Sequence, residues 1–437
     1  MEREPLIFAA TADVCGKMRG KAFPASQLDK RAASGVGWTP TNVQITCFDN
    51  IGVSPFGALG DVALVPDRTT HVEVDFGAGH VQENFMLCNI RTLEGEAWNC
   101  CTRSILQTAL ARLERVSGLT VKGAFEHEFQ MRDSIPEPGW SYSMAGYRAK
   151  AGFCEDLMSA LRTAGFTPDT IMKEYGVNQY EVTIAPETGV RIADAAAILR
   201  ELTHVLARHH GDRATFTPIR DPFGVGNGVH IHLSFLDAEG RPATYDPARP
   251  YGMSAVTGSF IAGVLRYIGA IAAITAPSAI SYIRLTPHRW SAAYNNLGYR
   301  DREASVRICP ITKGTPEAMA KGYNFEFRAA DACASPHLAL AALIHAGAQG
   351  IEDGLAAPEA SEEDLSLLSS DVLAARGYER LPTDLPEALD RFRSDMTVCG
   401  WFPEGFADVY VAHKRAELDQ LVDKTEAERF AAYEAVY

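Results

Sequence analysis

Residues 124–131, "AFEHEFQM", alternate apolar side chains with polar, mostly acidic ones. Successive side chains of a β-strand point to opposite faces, so this period of two predicts a strand with one buried face. Glu126 and Glu128 fall on one face, and Phe125 and Phe129 fall on the other. Two neighbouring carboxylates repel each other, and a cation between them removes that cost.

Three further segments repeat the pattern, namely "VNQYEVTI" (177–184), "GVHIHLSF" (228–235) and "YNFEFRAA" (323–330). Their polar faces carry further carboxylates, imidazoles and a guanidinium, whereas their other faces are apolar. An ordinary solvated face is the common explanation of such alternation in antiparallel sheets. Histidine doublets and E-x-E pairs are rare on solvated faces, so we expect an antiparallel sheet whose polar face binds ions and phosphates.

The polar faces and the residue just upstream of one strand supply a set of metal ligands: Glu126, Glu128, Glu174, Glu181, Glu326 and His230. Hard oxygen ligands favour Mg²⁺ or Mn²⁺ over zinc, and two or more ions on this set would clamp a polyphosphate. Four arginines, which could neutralise a phosphoryl group and hold a carboxylate substrate, are Arg284, Arg302, Arg307 and Arg328. The sequence has neither a Walker A motif nor a Rossmann glycine pattern, so this site alone would hold the nucleotide.

The composition is that of a globular protein, with 46% hydrophobic and 22% charged residues. A net charge of −14 argues against a nucleic-acid surface. No uninterrupted apolar run approaches the ~20 residues of a membrane span, and the acidic first residues predict no secretory signal. Nine cysteines without a CxxC pair indicate reduced thiols and a cytoplasmic location.

The length of 437 residues favours two domains. Short strand-like segments broken by Gly and Pro predict a small β-rich domain over residues 1–100, and the remaining residues, 101–437, form the second domain. Apolar periodicity predicts helices at 103–117, 150–165, 192–210, 337–350 and, buried, 254–275, with surface helices from residue 360.

The order of six motifs resembles the glutamine synthetase superfamily. The motifs are E-x-E-F (126–129), E-x₆-E ending in "NQYE" (174–181), "GNGVHIHLS" (226–234), "RLTP" (284–287), "RDREASVRICP" (300–310) and "FEFR" (325–328). The similarity runs from "GKMRGKAFP" (16–24) to "PHLALAALIHAG" (336–347).

The resemblance implies an α+β fold, with a small N-terminal β-grasp-like domain before a large catalytic domain. The catalytic domain would have a curved antiparallel sheet flanked by helices. The resemblance also implies a homo-oligomer, a dodecamer of two hexameric rings with active sites between subunits. ATP is the implied co-substrate, together with two or more Mg²⁺ or Mn²⁺ ions, and no nucleic acid or membrane is involved.

The residues that match the family's motifs have implied roles. One metal would be bound by Glu128, Glu174 and Glu181, and the other by Glu126, His230 and Glu326. ATP would contact His232, Ser234, Arg307 and Lys321, and the acidic substrate would contact Gly226, Arg284 and Arg328. Arg302 and Arg307 would be catalytic, around the transferred phosphoryl group.

The implied chemistry has two steps. ATP phosphorylates the γ-carboxylate of glutamate, and an amine then displaces phosphate to give an amide. Direct condensation would have to expel oxide, which is why ATP is needed.

Two departures from the family concern the amine. Family members that use ammonium carry a glutamate at the position of Trp290, and an N-terminal aspartate where this chain has no acid from Ser34 to Gln44. Ammonium needs carboxylates to replace its water, whereas an organic amine gains ~0.8 kcal/mol per buried CH₂, and an indole attracts cations. We therefore predict a γ-glutamylamide ligase that binds a small organic amine at Trp290. The lack of acids near Trp290 and Trp38 favours a monoamine over a polyamine.

Alternatives remain open at this point. The chain could be an ammonium-using glutamine synthetase, or a non-catalytic ring with a structural or sensory role. Trp290 could be a hydrophobic plug for its loop. Val225 and Asp301 stand where the family usually has asparagine, so the acid need not be plain glutamate. Asn324 stands at a usual arginine, so a contact to a nucleotide phosphate would be weaker or supplied differently.

Overall fold

The computed structural model describes residues 3–77 and 79–437, so Met1, Glu2 and Ala78 of the predicted N-terminal β-rich domain lie outside the described residues. The N-terminal part holds a six-stranded sheet of order β2-β1-β6-β4-β3, with β5 paired to β6. Strands β1 and β6 run parallel, and the other pairs run antiparallel. Its elements are β1 (Leu6–Ala12), β2 (Met18–Pro24), α1 (Leu28–Ser34), β3 (Val36–Trp38), β4 (Val62–Pro66), β5 (Val72–Val74) and β6 (Glu83–Thr92).

The rest of the chain holds a ten-stranded sheet of order β16-β13-β14-β15-β12-β7-β9-β8, with β10 and β11 paired to β7. Its strands are β7 (Thr120–Met131), β8 (Pro168–Lys173), β9 (Gln179–Ile184), β10 (Glu187–Thr188), β11 (Ala214–Thr215), β12 (Val229–Leu236), β13 (Leu297–Tyr299), β14 (Val306–Ile308), β15 (Phe325–Phe327) and β16 (Ala360–Ser361). The sheet is antiparallel from β14 to β8, as predicted, but β13 pairs in parallel with both β14 and β16 at one edge.

Helices cover the second sheet and fill the C-terminal part. They are α2 (Thr102–Ser117), α3 (Met144–Arg148), α4 (Ala151–Thr163), α5 (Arg191–His209), α6 (Ala255–Thr275), α7 (Ser281–Arg284), α8 (Pro316–Gly322), α9 (Pro336–Glu352), α10 (Ser370–Ala375), α11 (Leu385–Ser394), α12 (Met396–Cys399), α13 (Phe406–Asp419) and α14 (Glu426–Val436). The five predicted helices are observed as α2, α4, α5, α6 and α9, within two residues of the predicted ends.

The helix α6 is long and apolar enough to span a membrane by length and composition. Its most apolar 18-residue window is 78% buried inside the protein, so α6 is a core helix, as the sequence predicted. It packs closely on α9, where a Cβ added to Gly263 would lie 2.2 Å from the carbonyl oxygen of Ala346.

The apolar face of the large sheet is buried beneath these helices. On β12, Val229, Ile231, Leu233 and Phe235 belong to the same hydrophobic core as α6 and α9, and the ring centroids of Phe235 and Phe260 are 5.0 Å apart. Because strand side chains alternate, this burial turns the polar residues of β12 to the opposite face of the sheet.

The expectation of surface helices after residue 360 is confirmed for α10, and α11 lies at the surface with one face in the core. The helix α10 has no buried residue, whereas α11 buries Leu385, Ala388, Leu389 and Phe392 in the main core. These four residues recur at helical spacing and form one apolar face, which packs against α6.

The C-terminal helices also enclose a charged pair. Lys414 Nζ and Glu417 Oε2 lie 2.7 Å apart with both side chains 0% exposed, and the Tyr433 hydroxyl donates to Glu417 Oε1. We expect Lys414→Ala to lower the free energy of unfolding by about 3–5 kcal/mol, because it leaves the Glu417 carboxylate buried without its cation. Urea denaturation of both proteins measures this difference.

The matched control is Arg241→Ala, which removes a pair with Asp237 whose arginine is exposed. Its loss should be at most about 1 kcal/mol. Equal effects of the two substitutions would contradict the importance of the buried pair.

Candidate active site

A cavity of about 880 Å³ lies over the polar face of the large sheet, and we call it the central cavity. All the predicted site residues line it except Ser234 and Lys321. Ser234 is on β12, where its hydroxyl donates to the Lys122 carbonyl, and Lys321 is exposed on α8. The roles predicted for these two residues stay predictions.

The register of five adjacent strands determines which polar residues meet. Glu181 of β9 is opposite Glu128 of β7, and Glu126 of β7 is opposite His230 of β12. Further across the sheet, His232 of β12 is opposite Glu326 of β15, and Glu326 is opposite Arg307 of β14. We call these paired polar residues the polar row. Residues separated by up to about 200 positions in the chain thus form one continuous polar surface.

The ionisable side chains of the polar row shift one another's pKa. Burial would raise the pKa of Glu126, but hydrogen bonds from His230 Nδ1 (3.0 Å) and His232 Nε2 (3.1 Å) hold it below its ordinary value. Burial raises the pKa of Glu181, and the nearby Glu126 and Glu128 raise it further. A carboxylate with this shift holds a proton at neutral pH unless a cation replaces the proton.

The donor set fits divalent cations. Glu126, Glu181 and His230 each offer a ligand atom within 4.8 Å of the other two. The family resemblance groups Glu126 and His230 with Glu326, which the register places opposite His232, two residues along β12 from His230. Glu128 accepts from the Gly228 amide at 2.8 Å, and Glu174 accepts from the Tyr142 hydroxyl at 2.7 Å. The division of the six ligands between two ions stays a prediction.

The four arginines differ in how far their donors are already used. Arg284 is buried, and its Nη1 has no hydrogen-bond partner among the described residues, so it can receive a carboxylate from the cavity. A Cβ on Gly226 would lie 2.8 Å from Arg284 Cδ, which explains the glycine there. Arg302 is exposed, and Arg307 Nη1 donates to Glu326 Oε1 at 2.9 Å.

Arg328 was predicted to bind the acidic substrate, but the structure gives it internal partners. It donates to Glu326 Oε1 at 2.6 Å, to the Arg302 carbonyl at 3.1 Å and to the Trp290 carbonyl at 3.1 Å. Each of its three guanidinium nitrogens therefore has an acceptor within the protein, and Arg328 joins the metal-ligand strand to the Trp290 loop.

Trp290 lies at the mouth of the central cavity. Its side chain is 63% exposed, so the alternative that it plugs its own loop is wrong. The ring lies beside that of Tyr175, with 6.5 Å between the centroids. Trp38 lies elsewhere, on β3, with Lys21 Nζ 6.0 Å from its ring.

The Trp290 loop is held by a carboxylate that the sequence analysis missed. Glu303 accepts from the backbone amides of His288 at 2.8 Å and Trp290 at 2.7 Å. Both residues have left-handed backbones, with φ of 65° and 54°, which non-glycine residues adopt only when their surroundings hold them. The sequence gives no local signal of this contact, because Glu303 follows the loop by thirteen residues.

Apolar side chains surround the mouth of the cavity. Those with large exposed fractions are Tyr142 (54%), Met172 (37%), Tyr175 (61%), Phe223 (94%), Val225 (36%) and Trp290. They come from separate segments of the chain, so no single sequence window reveals them. Contiguous exposed apolar surface beside a polar cavity marks a binding site for a partly apolar ligand.

The fold and the cavity are those of an enzyme whose carboxylates and imidazoles suit divalent cations and whose arginines suit anionic ligands. The chain belongs to the glutamine synthetase family: the model of the glutamine synthetase catalytic domain matches residues 99–433, and that of the glutamine synthetase N-terminal domain matches residues 1–98. It is an ATP-dependent ligase, so the non-catalytic alternative is set aside. The family in general uses divalent metals.

Similar proteins agree with this assignment. The γ-glutamylpolyamine synthetase GlnA3 of Streptomyces coelicolor is 31% identical over 423 residues, 94% of this chain and 89% of that protein. A crystal structure described as a novel glutamine synthase homolog superposes with a TM-score of 0.91 at 39% identity, covering 100% of this chain and 99% of its own. A GmaS–ADP complex has the same fold, with a TM-score of 0.82 at 24% identity, covering 98% and 96%.

The loop contacts predict a local effect of Glu303→Ala. Two backbone hydrogen bonds to a charged acceptor would be lost, each worth about 1.5–3 kcal/mol. We expect the amides of residues 287–291 to exchange with deuterium about tenfold faster or more. Peptide-level exchange followed by mass spectrometry measures the rate.

The control is Glu362→Ala, an exposed carboxylate near the other side of the loop. It should leave exchange at 287–291 unchanged. Unchanged exchange in Glu303→Ala would show that the two hydrogen bonds do not hold the loop.

The raised pKa of Glu181 predicts proton release on metal binding. The metal-free protein keeps this proton at neutral pH, and a cation needs the carboxylate, so affinity should increase as pH rises toward the raised pKa. Titration calorimetry with Mn²⁺ in buffers of different ionisation enthalpy should show about one proton released per ion at this site. Glu181→Gln should abolish this release while Glu362→Gln keeps it, and an affinity independent of pH would contradict the assignment.

Proposed function

We propose that this ligase joins the γ-carboxylate of glutamate, or of a close analogue, to a small organic amine through a γ-glutamyl phosphate. The observation that carries the proposal is Trp290, which presents 63% of its side chain at the mouth of the central cavity. In family members that use ammonium, a glutamate occupies this position. The indole and the neighbouring Tyr175 offer apolar surface instead of a carboxylate.

The carboxylate that contacts the backbone of this loop is already engaged, which weighs against ammonium as the main substrate. Each oxygen of Glu303 accepts a backbone amide of the loop. It is thereby occupied on the side that faces the loop. Ammonium would exchange its water for aromatic surface, whereas an alkyl chain gains about 0.8 kcal/mol for each CH₂ that it buries there.

The other end of the cavity suits the acidic substrate. Arg284 Nη1 is buried and has no partner among the residues that the structure describes, and an unpaired buried guanidinium nitrogen is costly unless a ligand accepts from it. A substrate carboxylate would accept this hydrogen bond. Val225 and Asp301 leave open whether a close analogue replaces glutamate.

The residues of the polar row would bind the metal ions and position the substrates. The carboxylates and His230 would hold Mg²⁺ or Mn²⁺, which would neutralise charge on the ATP phosphates. Arg302, which is exposed toward the cavity, and Arg307 would stabilise the charge on the transferred phosphoryl group. The amine nitrogen then attacks the acyl phosphate, and the γ-glutamyl–phosphate oxygen bond breaks as phosphate leaves.

A polyamine is the second candidate for the amine. A second cavity of about 690 Å³ lies on the far side of the Trp290 loop and is lined by Asp301, Glu362 and Glu363. The sequence argument for a monoamine assumed that no acids lie near Trp290, and these carboxylates remove that argument. The Streptomyces coelicolor relative carries the name of a polyamine ligase, which supports the same candidate.

The proposal retains the assembly and the location expected from the family. The enzyme would be a dodecamer of two hexameric rings with active sites between subunits. Its location would be cytoplasmic, which is supported by nine free cysteines of which eight are buried.

The test is phosphate release from ATP and glutamate with ammonium, butylamine or 1,4-diaminobutane as the amine. Butylamine should exceed ammonium in kcat/KM by about tenfold or more, since it can bury several CH₂ groups. The diamine has the same carbon chain as butylamine and differs by its second ammonium, so a preference for it selects the polyamine candidate. Ammonium outperforming both organic amines would overturn the proposal.

Substitutions at Trp290 sharpen the same test. Trp290→Ala should raise KM for the preferred amine about tenfold through lost apolar contact, while Mn²⁺ and ATP affinities stay unchanged. Trp290→Phe should retain most of the activity, and Trp290→Glu should shift preference toward ammonium. An unchanged amine KM in Trp290→Ala would remove Trp290 from the amine site.

A further inference from the structure

The Trp290 loop spans residues 285–296, between the helix α7 and the strand β13. Glu303 and Arg328 hold backbone groups in the middle of this loop. Its two ends are held by a different side chain, that of Arg380, which the chain reaches only after α10. The roles implied by the family resemblance do not include this arginine.

Arg380 binds both ends of the loop with one guanidinium group. Its Nη2 donates to the Leu285 carbonyl at 2.6 Å, and its Nη1 donates to the Ala293 carbonyl. Because the two nitrogens belong to one rigid, planar group, the guanidinium fixes the spacing of the two carbonyls. Trp290 lies between these two points in the chain, so their spacing limits where the indole can lie.

The segment that carries Arg380 is itself anchored. The Asn295 amide donates to the Glu379 carbonyl at 3.0 Å, and Asn295 Oδ1 accepts from the Glu379 amide at 2.6 Å. The next residue after Arg380 is Leu381, which is buried in the main hydrophobic core and whose amide donates to the Ala293 carbonyl at 3.0 Å. The loop is therefore tied to the core through this segment.

The charge of Arg380 is not used in an ion pair with any residue that the structure describes. Both of its hydrogen-bond acceptors are neutral carbonyl oxygens of the loop, and its Cζ lies 5.6 Å from the centre of the Tyr294 ring. Its side chain is half-buried, and burial of a charge without a counter-charge is costly. The contacts at this position thus favour a geometric role, in which the paired donors hold the loop.

We propose that Arg380 is a positioning residue that determines the selectivity for the amine, because it keeps the indole of Trp290 at the mouth of the central cavity. The proposal rests on the proposed function, since it requires that the amine contacts Trp290. Without Arg380 the two ends of the loop would separate, and an organic amine would lose its contact with the indole. Ammonium has no CH₂ group to bury, so it would lose little.

The test is the ratio of kcat/KM for butylamine to kcat/KM for ammonium, measured by phosphate release. Arg380→Met keeps a long side chain without its donors, and it should lower this ratio about tenfold through lost apolar contact. The KM values for glutamate and ATP should stay unchanged. A variant that was only less stable would contain less active enzyme and would lose both rates alike, so its ratio would not change.

The matched control is Arg393→Met, at an exposed arginine of α11 that pairs with Asp408. It should keep the ratio of the wild type. An unchanged ratio in Arg380→Met would overturn the role in selectivity.

Arg380→Lys distinguishes the planar group from the charge, and it also decides the question if Arg380→Met does not fold. Lysine keeps the charge but lacks the rigid pair of donors, so the ratio should stay below that of the wild type. A ratio equal to that of the wild type would overturn the proposal.

Hydrogen exchange tests the loop contact without any substrate. The amides of residues 285–294 should exchange about tenfold faster in the Arg380 variants than in wild type or Arg393→Met. Unchanged exchange would show that Arg380 does not hold the loop. If the wild-type enzyme prefers ammonium, the proposed function fails, and the exchange rates still decide whether Arg380 positions the loop.

Discussion

The cross-strand register of β9, β7, β12, β15 and β14 is the constraint on which the central cavity depends. Hydrogen bonding between these strands places Glu181 beside Glu128, Glu126 beside His230 and His232 beside Glu326. A slip of one residue would turn each side chain to the other face. The register is held by the opposite face, where the apolar residues of β12 are buried under α6. Hydrophobic packing on one side thus fixes the polar geometry on the other.

This arrangement concentrates negative charge, and the chain compensates locally. His230 and His232 donate to Glu126, and two arginines donate to Glu326. Glu181 has no such partner among the described residues, and its pKa is raised by burial and by its acidic neighbours. Strongly shifted groups gathered in a cleft are typical of catalytic and metal sites, because the same repulsion that costs stability favours binding of a cation.

The mouth of the cavity depends on long-range contacts of a different kind. Glu303 and Arg328 hold the amide and the carbonyl of Trp290, and Arg289 donates to the Gly224 carbonyl in the loop that carries Phe223. The apolar rim is therefore tied to the metal-ligand strands through Arg328, which also contacts Glu326. Arg328 would therefore hold both the loop proposed to bind the amine and the strand proposed to bind the metal ions.

Much of the fold could be predicted because periodicity is a local property. The strands 124–131 and 228–235 and the helices α2, α5 and α9 each carry their pattern within one window of sequence. The parallel edge formed by β13 could not be predicted, since three-residue strands have too few side chains to show a period. The element that covers the apolar face of α11 could not be predicted, because α6 is distant in the sequence and meets α11 only in the tertiary structure.

The sequence by itself determined the residue types of the site and their order along the chain. These are enough to identify the family and to predict which kinds of ligand the site binds. The alternation of apolar and polar residues also predicted which side chains lie on the same face of a strand. Only the tertiary structure decided which faces meet: that Glu326 lies beside His232 and Cys309, that Arg328 is engaged internally, and that Glu303 holds Trp290 open to the cavity. The reason is physical, since these contacts join residues from different strands and loops and form only when the buried face of the sheet sets the register.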